Sequence, residues 1–449
     1  MLAQWNRRLT LVVLFPTLFL IVTLLSVRSG IHKQIIQHLD MPQDKRPDLA
    51  LVDSELPQRP ASGPRHPIYK PERKKIEPII DNFPLAQAAT SYADMPPIPL
   101  WNRPPAPHFF ENTPLIIGFT RNWRLLQQTV ASYITSGWPS EDIYVIENTG
   151  TFNANEQGRL SLQNPFYLDH RRLTGIFSVN VITAPTLLSY SQLQNFILGV
   201  AMDKGWDYYF TSHMDVVALS DEDMSPNDEN GYKSLYERCV EDVAATIQPE
   251  YAVDPKTGQS GRWGLKAYGD GRGLVLMNRH ALEEIGGWDS QIPYAGARCD
   301  VQERLAMHGF KLADAYVGGV YDVPESLENI GSLYRRRNIK TKDEEGEGVE
   351  VEVEDERGGE GYKKLKNLLL KMEAQKKADG GKARYGWRAQ QGGGQNEPYY
   401  TDPEGFERAV LLTNDFSRKL MAEKWGHVGC GLRDAGLGPG DAWRVEHDW

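Results

Sequence analysis

The sequence predicts an α/β protein: a mainly parallel sheet with helices on both faces, preceded by one transmembrane helix and a Pro-rich stem. Three observations predict it. Between residues 115 and 212, short apolar runs alternate with segments of helical spacing. That order makes the strands parallel, because each helix returns the chain across the sheet. The run LTLVVLFPTLFLIVTLLSV at 9–27 carries no charge. The stretch at 28–110 is rich in Pro and charge, as in PQRPASGPRHP and DMPPIPLWNRPPAP, and has no sustained period, which is the composition of a stem.

The uncharged run comes close to the ~20 apolar residues that a bilayer crossing needs, and Pro16 kinks such a helix without forbidding it. The free amine, Arg7 and Arg8 precede it while Arg28 and Lys33 follow, so the charge bias leans modestly toward a cytosolic tail at 1–8. No clear small-residue cleavage site follows, which makes the run an uncleaved signal anchor with the rest of the chain in a lumen.

The 449 residues suffice for up to about three domains. At 40% hydrophobic and 24% charged residues, wholesale disorder is excluded. Lys plus Arg number 50 against 60 Asp plus Glu, a net charge of −10, so there is no basic field for a polyanion and nucleic acid is not an expected partner. Cys239, Cys299 and Cys430 can build neither a disulfide framework nor a four-cysteine zinc site. One pair can close in an oxidising lumen and leave one thiol over; the spacing does not say which pair.

The body is expected at 111–335. Its first strand is the apolar run at 115–119, bounded by Pro114. Leu125, Leu126, Val130, Tyr133 and Ile134 then place a helix over 124–136, stopped by Gly137. A second strand at 143–146 closes on ENTG, a third is expected at 179–183, and a helix over 191–204 stops at Gly205. A fourth strand follows at 208–212 and a last one at 315–322.

Ligands of such sheets gather at the carboxyl ends of the strands. The residues there are Thr120, Arg121 and Asn122 after the first strand, Glu147 and Asn148 after the second, and His213, Met214 and Asp215 after the fourth. An acidic or amide group after the second strand can accept from a ribose or base, and a carboxylate after the fourth can hold a divalent cation against a diphosphate. Each taken singly also serves as a turn or helix cap. No Gly-rich phosphate loop follows the first strand, which removes support from dinucleotide and P-loop chemistry.

The segment GWDYYFTSHMDV at 205–216 resembles the fourth strand and DxD element of GT-A fold glycosyltransferases, the Rossmann-like nucleotide-diphospho-sugar transferases typified by family 2. GRGLVLMNR at 271–279 and EEIGGWD at 283–289 are similar to the segment below their acceptor site, and CDVQERLAMHGF at 299–310 to their D-x-x-x-R-L-x-x-x-G helix. The resemblance covers about 114–323. The anchor and stem match Golgi members of the class, and Lys424-Trp425-Gly426 resembles a carboxyl-terminal element of fungal type II membrane proteins among them.

The resemblance implies a glycosyltransferase, inverting and dependent on Mn²⁺ or Mg²⁺, that moves a sugar from a nucleotide-sugar donor to a glycan or glycoprotein hydroxyl. Asp215 corresponds to the metal-binding carboxylate of the DxD element, whose first Asp is replaced here by His213. Glu147, Asn148 and Thr120 to Asn122 stand at donor-contacting positions. Asp300 matches the general base, its competing reading being a helix cap. Trp288 and Asp289 stand at the acceptor side, where an indole packs on a pyranose, although a core tryptophan beside a turn is the slightly commoner reading. Asp322 is a further metal-shell candidate.

The charged and Gly-rich stretch at 336–397 is expected to be a largely disordered insertion, with helical composition only over 362–377. Residues 398–449 are expected to return as a helix and tail on the body. The alternative function is a catalytically silent, membrane-anchored sugar- or nucleotide-binding module, motivated by the His213 departure.

Overall fold

The computed structural model describes residues 77–104, 112–223, 231–247, 262–269, 273–342, 348–378, 393–398 and 402–447. The transmembrane helix expected at 9–27 and most of the expected stem lie outside them. No helix among the described residues is long and apolar enough to cross a membrane.

The main sheet has seven strands. In chain order they are β1 (Leu115–Phe119), β2 (Ile143–Glu147), β3 (Asn180–Thr183), β4 (Tyr208–His213), β6 (Trp263–Tyr268), β7 (Leu274–Asn278) and β8 (Lys311–Ala315), and β5 (Val216–Leu219) belongs to a separate ribbon with β9 (Gly319–Asp322). Across the sheet the order is β3-β2-β1-β4-β7-β6-β8. Only β7 runs antiparallel to its neighbours, so the sheet is mostly parallel and fits a GT-A, Rossmann-like architecture. The last strand expected at 315–322 is divided: its start belongs to β8 on the sheet edge, and its end is β9, which pairs with β5.

A short α-helix at Pro84–Ala88 precedes the sheet, and the α-helices from β1 onward are α1 (Trp123–Thr135), α2 (Tyr190–Asp203), α3 (Leu235–Ile247), α4 (Arg279–Glu284), α5 (Ala297–Met307), α6 (Glu360–Ala378) and α7 (Pro403–Trp425). The pleat of β1 distributes the core. Leu115, Ile117 and Phe119 enter one apolar cluster, with α1, Trp138 and Phe210, whereas Ile116 enters another with α2, α5 and Trp288. A strand buried on both faces reads as continuous apolar sequence, which is why LIIGF lacks alternation. Gly118 lets α2 cross closely: a Cβ there would stand 2.9 Å from Leu193 Cδ2, and that side chain would have to shift.

The stretch expected to be disordered contains an antiparallel hairpin, β10 (Arg336–Lys342) with β11 (Gly348–Glu354), and the 19-residue helix α6. Tyr362, Leu365, Leu369 and Met372 are spaced by three and four residues and sink into the first cluster. Helix α6 covers the helical composition expected over 362–377. Helix α7 inserts Met421 and Trp425 into the second cluster. Cys299 on α5 and Cys430 form a disulfide, with Cα atoms 5.6 Å apart across 131 residues, and Cys239 on α3 is buried and free.

Candidate functional site

The chain runs from β1 outward through β2 to β3 and then returns to place β4 on the other side of β1. This reversal opens a crevice at the carboxyl ends of β1 and β4, the usual ligand position of such sheets. The register pairs Gly118 with His213, so Thr120 and the turn from His213 to Asp215 flank that crevice.

Several of the expected donor contacts are spent on the protein itself. Glu147 is 1% exposed and accepts from Thr149 Oγ1 at 3.0 Å and Asn155 Nδ2 at 2.7 Å, with His170 Nε2 2.6 Å from its other oxygen. Burial opposes its charge, but the hydrogen bonds from His170, Asn155 and Thr149 and the charge of His170 outweigh it and hold the carboxyl below its ordinary value. Asn148 clasps the Leu188 backbone, donating to its carbonyl at 2.9 Å and accepting from its N–H at 2.7 Å. Arg121 reaches α7, where it pairs with Glu407 at 2.7 Å and lies 4.3 Å over the Phe406 ring. Asn122 caps α1 from a left-handed conformation, accepting from Leu125 N–H. Thr120 remains half-buried at the crevice, 3.4 Å from Asn148 Nδ2.

The turn after β4 is built differently. Pairing of β5 with β9 sets Val216 opposite Asp322, and Val323 N–H donates to Asp215 O at 2.9 Å, so the carboxylates of Asp215 and Asp322 converge. Lys376 of α6 enters between them. Its Nζ lies 2.7 Å from Asp215 Oδ2, 2.5 Å from Asp322 Oδ1 and 2.9 Å from Val323 O. His213 is half-buried and its ring stacks on Tyr190 at 6.4 Å. Burial pushes the imidazole toward its neutral form, and the charges of Arg298 and Lys376 add to this against the pull of Asp215 and Asp322.

A divalent ion at this turn would draw on Asp215, Asp322 and His213, the residue types such ions accept. Those groups do not fit a resident ion as they stand, because the ammonium fills the space between the carboxylates. Among the described residues no three His, Cys, Asp or Glu side chains converge as a metal site.

Beside His213 opens a pocket lined by Tyr190, Gln194, Thr211, Trp288 and Arg298. Trp288 is 3% exposed and packs edge-on against Tyr190 at 5.4 Å, while its indole Nε1–H has no hydrogen-bond partner among the described residues. An orphaned buried donor on a residue that lines a pocket is one that a polar ligand atom can satisfy. The sequence reading found Trp288 but missed Arg298 and Tyr190, which come from the starts of α5 and α2 and carry no motif of their own.

Asp300 does not stand in the crevice. It is fully buried, accepting from Arg304 Nε at 2.8 Å, Lys424 Nζ at 2.6 Å and Trp425 Nε1 at 2.9 Å. A carboxylate saturated by two cations and shut off from solvent has the geometry of a structural anchor rather than a general base. It is no cap either, since Gly296 occupies the N-cap of α5 at φ 90°. Lys424 also binds Asp289 at 2.8 Å; burial opposes that carboxyl's charge, but the Lys424 hydrogen bond, the Gln291 N–H and the cations keep it ionised below its usual range. Lys376 continues the apolar stripe of α6, and Lys424 lies on the inward face of α7 with Met421. A lysine on a buried stripe is the signal that could have found both.

The sequence matches no protein-family model and no curated protein. Among solved structures, a mannosyltransferase from Pyrobaculum calidifontis in complex with GDP-Man and Mn²⁺ is 13% identical, over 48% of this chain and 58% of that one, at a TM-score of 0.29. The catalytic domain of Drosophila β1,4-galactosyltransferase 7, in complex with xylobiose, is 12% identical over 45% and 63%, at 0.23. A protein described as a glucose-1-phosphate thymidylyltransferase from Bacillus anthracis is 12% identical over 47% and 89%, at 0.23. These neighbours are glycosyl- and nucleotidyltransferases of GT-A-like fold, at low identity and partial coverage. With superposition this loose, what they bind is not carried over to this chain.

Proposed function

We propose that the chain is a glycosyltransferase that moves a sugar from a nucleotide-sugar donor to a hydroxyl of a glycan or glycoprotein. The observation that carries this reading is the pocket beside His213 at the end of β4, walled by α2, β7 and the start of α5, where buried Trp288 has an indole N–H without a partner among the described residues, near Tyr190 and Arg298. Aromatic faces suit a pyranose, and the Arg298 guanidinium suits an anionic diphosphate. His213, kept neutral by burial and the nearby cations, is a hydrogen-bonding group there rather than a charge. The reaction is read as inverting, with Asp289, the half-buried carboxylate next to Trp288 in the chain, on the acceptor side. A Golgi lumenal setting, reached by the anchor at 9–27, belongs to the same proposal.

The test is release of nucleoside diphosphate when the full chain is incubated with a panel of UDP- and GDP-sugars. Slow hydrolysis of one donor is expected, and Arg298→Met should lower it about tenfold or more, as expected for a charge-assisted hydrogen bond to the leaving group. Failure of every donor to bind sinks the reading.

One observation favours a second reading. Asp215 and Asp300, the carboxylates that the resemblance assigns to metal and base, are both held by buried lysines. A silent sugar- or nucleotide-binding module accounts for that equally. Tight binding of a donor with no turnover for any acceptor selects it.

A further inference from the structure

We propose that Lys376 is the resident cation of this site, a chain-borne ammonium that stands where a divalent ion would otherwise bridge Asp215 and Asp322. Two carboxylates brought face to face repel each other and remain charged only with a cation between them. Lys376 supplies it with all three of its donors used, to Asp215 Oδ2, Asp322 Oδ1 and the Val323 carbonyl. The residue is 3% exposed, and a lysine so buried is tolerated only when paired and fully hydrogen-bonded. Its position is delivered by packing: Tyr362, Leu365, Leu369 and Met372 dock α6, and Lys376 is the next residue on the same stripe. The cation is therefore fixed by the core and does not exchange with solution ions.

This arrangement defines a division of labour at the pocket. Lys376 has no donor left for a phosphate, so it acts by neutralising the carboxylates that would otherwise repel one. Arg298, which lines the pocket, then faces an incoming anion without two opposing charges. The inference rests on the glycosyl-transfer reading only for what the pocket binds, not for the cation seat.

The seat is tested by Mn²⁺ alone, followed by electron paramagnetic resonance and by thermal unfolding of the full chain. Wild type is expected to leave the free Mn²⁺ signal and its own melting point unchanged at millimolar ion. Lys376→Met should open the carboxylate pair and bind Mn²⁺ at least tenfold more tightly, its melting point rising by several degrees once the ion is about 100-fold over its dissociation constant. Lys376→Arg keeps the charge and should behave as wild type. Wild-type binding of Mn²⁺ that Asp215→Asn abolishes would overturn the proposal. So would a folded Lys376→Met that binds no more Mn²⁺ than wild type. If the Met variant fails to fold, the wild-type titration decides alone. Equilibrium dialysis with UDP and GDP in EDTA separates the two readings: nucleotide bound only with Mn²⁺ overturns the role of Lys376, whereas nucleotide bound under neither condition overturns glycosyl transfer and leaves the Mn²⁺ result standing.

Discussion

Lys424 Nζ lies 2.6 Å from Asp300 Oδ1, joining the end of α7 to the first turns of α5 inside the core. The pair is locked from both sides, since Arg304 takes the other oxygen of Asp300 and also donates to the carbonyls of Ile285 and Gly287. One buried carboxylate thus holds together the Gly-Gly-Trp turn, α5 and the carboxyl-terminal helix. Asp300→Asn leaves half-buried Arg304 without its carboxylate and buried Lys424 with Asp289 alone, and should cost about 3–5 kcal/mol in denaturant unfolding. An unchanged unfolding midpoint with a large fall in turnover would restore the general-base reading.

The disulfide sits one residue from that carboxylate and closes a 131-residue separation. Reduction, or Cys430→Ser, should cost about 2–5 kcal/mol of stability. The thiol count gives an independent check. Burial pushes the Cys239 thiol well above its ordinary value, so the folded oxidised chain should show no reactive thiol with a chromogenic disulfide reagent. One should appear on denaturation and three after reduction.

Glu147 should contribute a pH-dependent term. Its carboxyl is held below its ordinary value of 4.5 in the fold, so the stabilisation is fully present above about that pH and is lost as pH falls through the lower folded value. Glu147→Gln should cost about 1.5–3 kcal/mol at pH 7, and the gap to wild type should close on acidification below pH 4.5. A gap independent of pH down to strong acid would mean that the carboxylate charge contributes nothing.

Leu369 tests whether α6 belongs to the cooperative core. It is fully buried in the first cluster, so Leu369→Ala should destabilise the whole domain by about 2–5 kcal/mol in a single transition. A change within about 0.5 kcal/mol would mean that α6 is not packed as described.

The sheet was legible because its signals are local. Apolar runs at 115–119, 143–146 and 208–212, the helical spacing of α1 and α2, and the glycines that stop those helices set the β-α order along the chain. The polar residues after each strand follow from the same local reading. Which of them face a ligand does not, because Glu147, Asn148, Arg121 and Asn122 could each find a partner inside the protein, and did.

The sequence by itself determined the mainly parallel architecture, the polar residues at the strand ends and the unusual His213 in its metal-like turn. Only the tertiary structure decided the charges at that turn. Lys376 reaches it from 161 residues beyond Asp215, in a stretch expected to be largely a disordered insertion, while in the core behind it Lys424 meets Asp300 across 124 residues, from the helix and tail expected to return to the body. Their pairing depends on the docking of α6 and α7 by apolar stripes. A long-range ion pair leaves no spacing pattern along the chain, so the residues that neutralise this site become visible only when the helices that carry them are packed against the sheet.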